Sequence, residues 1–228
     1  LELLMNKIIG RESLTDQIVT ALRRRIINGE LAEGMQLRQE WLASEMGVSR
    51  IPLREAIRQL EAEGFVTSEL HKGTVVRALS LEEIQELFDI RIRLETWLFE
   101  LAIPNLTEAD FALAEELTDE AMQAGSVENW GDLNWRFHEV LYKPSGRGIA
   151  LKLVKTVHDN ANRYVNLHIA VAQDVERELS DHRTLIAYAR LGDARRGVDM
   201  LRGHIQRVSR NLIASLVESR KGEAQGIA

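Results

Sequence analysis

The stretch MGVSRIPLREAIRQLEAEGFV, Met46 to Val66, decides the first part of the fold. Arg50, Arg54 and Arg58 recur at a spacing of four, which on a helix aligns three guanidinium groups along one face. Leu53, Ile57 and Leu60 mark the opposite face, which can bury against a core. Gly47 precedes the helix where a tight interhelical turn needs it. A basic face, an apolar face and a glycine turn predict a helix shaped for a DNA major groove.

Upstream, Leu14 to Asn28 reads as a first helix, with Ile18, Ala21, Leu22 and Ile26 at helical periodicity and Asn28-Gly29 ending it. Arg38 to Glu45 reads as a short second helix with Leu42 and Ala43 inward. Ser49 stands where it can cap the third helix, and Gly64 closes that helix. Phe65 to Glu69 and Thr74 to Ala78 read as strands joined by LHKG, with Gly73 near the tip. Three helices and a hairpin make a winged helix-turn-helix.

The boundary falls at Ala78 to Leu81, where Ser80 and Glu83 form a capping box. From there the pattern is helical: Leu81 to Ala102, Thr107 to Ala124, Ser126 to Tyr142, Gly148 to Ala172, Val175 to Leu191, and Asp193 to about Ser219. The tail KGEAQGIA reads as frayed. The expected fold class is mainly α: an N-terminal winged helix-turn-helix over residues 1–78, then an all-α antiparallel helix bundle over 79–228.

The chain has 228 residues and a net charge of −6, which at first opposes a nucleic-acid partner. Through Ala78, however, basic and acidic residues balance at eleven each, so the acidic excess lies wholly in the remainder. Arginines sharing one face can still bind phosphate on a near-neutral domain. Cysteine is absent, which excludes disulfides and thiolate metal sites. No apolar run is long enough to span a bilayer, and LELLMNKIIG, carrying Glu2, makes a poor signal peptide. A cytoplasmic location is expected, with no membrane partner. Met5 is a candidate native start, leaving residues 1–4 of open origin.

The pattern LRQEWLASEMGVSRIPLREAIRQLEAEGFVTSELHKGTVV resembles the DNA-binding domain of GntR-type bacterial transcription regulators, over residues 12–78. The resemblance implies operator contacts from Ser49, Arg50 and Arg54 and from the wing at His71, Lys72 and Gly73; Arg38 and Arg58 complete the candidate set. Ile51 replaces a frequent threonine, and Glu40 stands where a second-helix arginine often contacts DNA. Both departures bear on operator sequence.

Five of the six histidines lie beyond the boundary: His138, His158, His168, His182 and His204. Asn134 and His138 are one helical turn apart. Facing helices of a bundle can bring such groups together, and imidazoles with an oxygen donor suit Zn, Ni, Fe or Mn. By spacing alone each is more readily a surface or hydrogen-bonded histidine.

NWRFHEVLY, ELSDHRTLIAYARLGD and MLRGHIQRVS resemble the motifs of the FCD domain, the effector-binding bundle of FadR-type GntR regulators, over residues 81–218. The resemblance implies a divalent metal, Zn first, held by Asn134, His138, His182 and His204. Asparagine in place of aspartate makes that ligand set neutral. RIRLE also matches and carries over Arg91 as a pocket cation; the alternative is a salt bridge to Glu95. His158, Asn162 and Arg163 can line the pocket from the fourth helix, with Arg163 a second effector-binding candidate; a structural or surface role is an equally ready reading. His158 and His168 match no ligand position, and Trp97, Trp130 and Trp135 read as core or interface packing.

The expected protein is a homodimeric, ligand-responsive transcription regulator, a repressor of double-stranded operator DNA controlled by a small organic acid at the metal. Two alternatives compete. A metal hydrolase could use three histidines, but no HExxH-type helix or nucleophile motif is present. A metal-free bundle could bind its acid through Arg91 and histidines alone.

Overall fold

A computed structural model describes residues 13–124, 130–172 and 175–226. The N-terminal LELLMNKIIG, Gly125-Ser126 and the side chain of His168 lie outside the described residues. The chain divides into two compact units, Leu1–Ala78 and Leu79–Ala228.

The first unit contains α1 (Leu14–Ile27), α2 (Gln39–Glu45), α3 (Arg50–Ala62), β1 (Val66–Glu69) and β2 (Gly73–Val76). Ser13 and Asp16 form a reciprocal capping box that starts α1. Between α2 and α3, Gly47 takes φ +65°, a left-handed turn that a side chain would strain. The two strands pair antiparallel, Val66 opposite Val76 and Glu69 opposite Gly73.

Leu53, Ala56, Ile57 and Leu60 of α3 are buried with Ile18, Leu22, Leu42, Phe65 and Val76. The same helix leaves Arg50, Arg54 and Arg58 exposed. Several expected details differ: β1 begins at Val66 rather than Phe65, and β2 spans Gly73–Val76 rather than Thr74 to Ala78. Arg38 is the residue capping α2 rather than its first helical residue. Ser49 occupies the N-cap of α3 with extended backbone, yet its side chain makes no capping hydrogen bond. An N-cap oxygen bonds the second or third amide of a helix, and here Pro52 is third and has no N–H.

The second unit contains α4 (Leu81–Ala102), α5 (Glu108–Ala124), α6 (Trp130–Tyr142), α7 (Gly148–Ala172), α8 (Val175–Arg190) and α9 (Ala194–Gly226). Ser80 with Glu83, and Thr107 with Asp110, cap α4 and α5 as the sequence suggests. α4 packs against α7 and α9, α5 against α6 and α8, and α9 also against α8. Phe88, Phe99, Phe137, Tyr142 and Leu201 fill the core.

The last helix runs to Gly226, beyond the expected stop at Ser219. The residues after Ser219 are mostly good helix formers, and the single Gly222 costs a helix only about 1 kcal/mol. Trp130 and Trp135 are buried, whereas Trp97 is 42% exposed and therefore not a core residue.

Because α3 has one packed and one solvated face, adjacent substitutions should differ sharply. Leu53→Ala should destabilise the first unit by about 2–5 kcal/mol in urea unfolding. Arg54→Ala, one position on, should cost no more than about 0.5 kcal/mol.

Candidate functional site

Three buried histidines meet inside the second unit. His138 comes from α6, His182 from α8 and His204 from α9, and one ring nitrogen from each lies within 4.8 Å of the others. The ring centroids are 5.2 Å apart for His138 and His182, 6.0 Å for His138 and His204, and 5.7 Å for His182 and His204. The sequence expectation thus brought together residues from three helices.

Each ring is fixed by what surrounds it. His138 Nδ1 is 3.0 Å from Tyr142 Oη, and Tyr142 Oη donates to Glu95 Oε2 at 2.8 Å. Burial and the neighbouring Glu95 charge hold the Tyr142 phenol well above its usual range, so its proton stays. That single proton goes to Glu95, so His138 must donate its Nδ1–H to the phenol oxygen. Nε2 of His138 then carries a lone pair, and it is buried with no hydrogen-bond partner.

Arg91 Nε donates to Glu95 Oε1 at 2.6 Å, closing the chain Arg91–Glu95–Tyr142–His138. The salt-bridge reading of Arg91 is therefore present in the structure, in the interior beside the histidines rather than on a solvated face.

His204 Nδ1 lies 2.9 Å from Asp181 Oδ2, and Arg207 Nη2 donates to both Asp181 and Glu178. Burial would push the Asp181 carboxyl up, but hydrogen bonds from His204 and Arg207 and their charges hold it below its usual range. Glu178, Asp181 and His204 also fall within metal-binding distance of one another. Arg207 already bridges those two carboxylates, so this second trio is built to hold a guanidinium.

His182 is held by ring stacking, 3.9 Å from Phe137 at 11° and 6.2 Å from Trp130 at 8°. Its Nε2 is also buried without a partner. Burial, followed by the neighbouring imidazoles, pushes His138 and His182 well below the usual histidine range. Burial likewise lowers His158. Neutral imidazoles with orphaned ring nitrogens are the form a metal ion requires.

Asn134 adds a buried oxygen, Oδ1, with no hydrogen-bond partner, and its Nδ2 lies 3.2 Å from His158 Nε2. This donor set fits a divalent cation on chemical grounds. Asn162 and Arg163 are buried on α7, and the Arg163 guanidinium sits over Tyr164 at 4.9 Å.

Sequence reasoning missed Tyr142, Glu178, Asp181 and Arg207. A usable signal existed. Tyr142 follows His138 by one helical turn, Arg207 follows His204 similarly, and ELSDH carries both acids beside His182.

In the first unit, Arg38, Ser49, Arg50, Arg54, Arg58, His71, Lys72 and Gly73 are all exposed. The arginines are not bare. Arg50 pairs with Glu40 at 2.9 Å and Arg58 with Glu55 at 3.2 Å. Lys72 at the wing pairs with Glu69 at 2.9 Å. Glu61 instead accepts the Ser68 amide at 3.1 Å. His71 adopts φ +68°, and the Lys72 carbonyl accepts from Gln36 Nε2, which pins the hairpin tip.

A wing, a two-faced recognition helix and a histidine-bearing helical unit define the class: a DNA-binding transcription regulator. Residues 86–207 match the FCD domain, and residues 14–76 match the family described as bacterial regulatory proteins, gntR family. The chain belongs to the gntR family of regulators and carries a C-terminal FCD domain.

The chain is 29% identical over 195 residues to the HTH-type transcriptional repressor GlaR of Escherichia coli, spanning 81% of this chain and 89% of that one. It is 28% identical over 188 residues to a gluconate operon transcriptional repressor of Bacillus licheniformis, 79% of this chain and 77% of the relative. The fold matches the structure of E. coli McbR/YncC with a TM-score of 0.82 at 24% identity, covering 90% of this chain and 100% of that one. The family and these relatives are transcription regulators, not enzymes. No helix among the described residues is long and apolar enough to cross a membrane.

Two outcomes test this geometry. Arg50→Ala should weaken binding to a selected operator by about 1–3 kcal/mol and relax base preference, while Lys72→Ala should weaken all duplexes alike. Fluorescence anisotropy against matched and scrambled duplexes reads the difference; unchanged discrimination in Arg50→Ala would remove Arg50 from base reading.

The second outcome concerns pH. Unfolded imidazoles take up protons below about pH 6.5, whereas His138, His158 and His182 in the native chain do so only at lower pH. The unfolded state thus binds more protons on acidification, and stability falls. Urea midpoints of chelator-treated protein should be steady above about pH 7 and decline below about 6.5; a flat profile down to pH 5 would contradict buried neutral imidazoles.

Proposed function

We propose that the helical unit is a metal-dependent sensor that controls operator binding by the first unit. Asn134, His138, His182 and His204 would hold a divalent cation, Zn first, with Ni, Fe or Mn as alternatives. The observation that carries this reading is the convergence of three buried imidazoles, two of which, His138 and His182, have an Nε2 without a hydrogen-bond partner. When bound, the cation supplies a positive centre that a small organic acid can coordinate through its carboxylate.

The chain's own residues prepare that centre. Tyr142 and Asp181 fix two imidazole rings, and such outer partners typically change metal affinity 10–100-fold when lost. Four neutral ligands leave the cation's charge undiminished, which favours an anionic effector. Arg91 and Arg163 are the candidate cations for its remaining acidic groups.

Effector and DNA are coupled only if the acid binds the DNA-competent and DNA-incompetent states differently. Relatives named as repressors support release from DNA as the response. Homodimerisation is part of this reading, since one recognition helix reads few base pairs and a two-fold operator supplies the rest. Trp97, Ile149 and Leu153 stand exposed on α4 and α7, which pack together, and are suited to meet a second copy.

Zinc titration of metal-free protein tests the proposal. Wild type should bind one Zn2+ per chain, and His182→Ala should lose at least about tenfold in affinity. A thermal-shift screen of small carboxylates should find stabilisation that depends on the metal, because ligand binding raises native stability by linkage. Carboxylate-dependent stabilisation that survives both chelation and His182→Ala would support the metal-free alternative instead.

A further inference from the structure

Asn134 faces a choice that an aspartate would not. A carboxylate presents an acceptor whichever way it turns, whereas a carboxamide presents an oxygen on one side and two N–H donors on the other. If Asn134 is to offer a cation its oxygen, its amide nitrogen must be held elsewhere. Reversed, the same side chain would aim its donors at a positive charge.

The structure holds the nitrogen. Asn134 Nδ2 is 3.2 Å from His158 Nε2, while Asn134 Oδ1 is buried without a hydrogen-bond partner. We infer that His158 is a positioning residue, whose Nε2 accepts from the Asn134 amide and thereby reserves Oδ1 for the cation. The inference rests on the proposed metal site.

His158 is equipped for this role. The ring is 1% exposed and lies 5.1 Å from the Trp135 ring. Accepting at Nε2 requires that the ring proton sit on Nδ1. Nδ1 makes no hydrogen bond; it lies 3.9 Å from the Asp159 carboxylate, whose negative charge favours a proton on that side of the ring, and Lys155 Nζ holds that carboxylate at 2.5 and 2.6 Å. Through His158, α7 thus has a hold on a candidate ligand of α6. His158 belongs to none of the metal-binding trios among the described residues. Its role is therefore exerted through Asn134.

Four proteins test the inference: wild type, His158→Leu, Asn134→Asp and the double variant. Zn2+ affinity is read by competition with a chromophoric chelator, and native structure by circular dichroism in chelator. His158→Leu should weaken Zn2+ binding about 10–100-fold in the asparagine background. In the aspartate background it should cost about threefold or less, since a carboxylate needs no orientation and the two sites no longer couple.

Equal losses in both backgrounds would overturn the inference while leaving the metal site standing. Absence of Zn2+ binding by wild type would overturn the metal site and this inference with it. A measurement without variants guards against a misfolded His158→Leu. Long-range 1H–15N correlation on the wild-type protein should read Nε2 as the unprotonated nitrogen of His158. A proton on Nε2 would overturn the role of His158.

Discussion

A polar atom removed from water must find a partner or it costs stability. That constraint organises the interior of the second unit. Several ring nitrogens are buried there, and one side of the cluster is satisfied with care. Tyr142 takes His138, Asp181 takes His204, and the phenol and carboxylate are themselves held by Glu95 with Arg91 and by Arg207. Nε2 of His138, Nε2 of His182 and Oδ1 of Asn134 are among the atoms left without a hydrogen-bond partner, as are Nδ1 of His158 and Nε of Arg207.

The first unit shows the opposite economy. Nothing polar in the α3 seam is buried: Leu53, Ala56, Ile57 and Leu60 make the core, and every arginine faces water. Its charges pair with nearby acids on the surface, where such pairs contribute little to stability and exchange readily. Glu40 takes on a meaning there that its sequence position alone did not suggest. Rather than standing as a bare repulsive charge, it meets Arg50 at 2.9 Å. So exposed a pair is weak, and Arg50 can leave Glu40 for another acceptor at little cost.

Much of this was legible in the sequence because it depends on local rules. The periodicity of α3, the glycine turn at Gly47 and the serine cap of α4 are set by neighbours within one turn. The histidine set came from motif resemblance, and the fold then placed three of its members together. What escaped depended on partners distant in sequence or on competing local chemistry. Pro52 cancelled the expected Ser49 cap by removing a donor. Tyr142 joins Glu95 across 47 positions, and His158 reaches Asn134 across 24, which no helical spacing reveals. The ending of α9 escaped because one glycine among good helix formers is a weak stop.

The helix origins of the histidine trio carry one more consequence. His138, His182 and His204 sit on α6, α8 and α9, so an ion shared by them would tie together points separated by long runs of chain. Closing loops of some forty and twenty residues withdraws conformational freedom from the unfolded chain, much as a covalent cross-link does. In a protein without a single cysteine, the bundle would acquire a removable staple. Metal supply would then govern how tightly three helices are bound into one body, before any effector arrives.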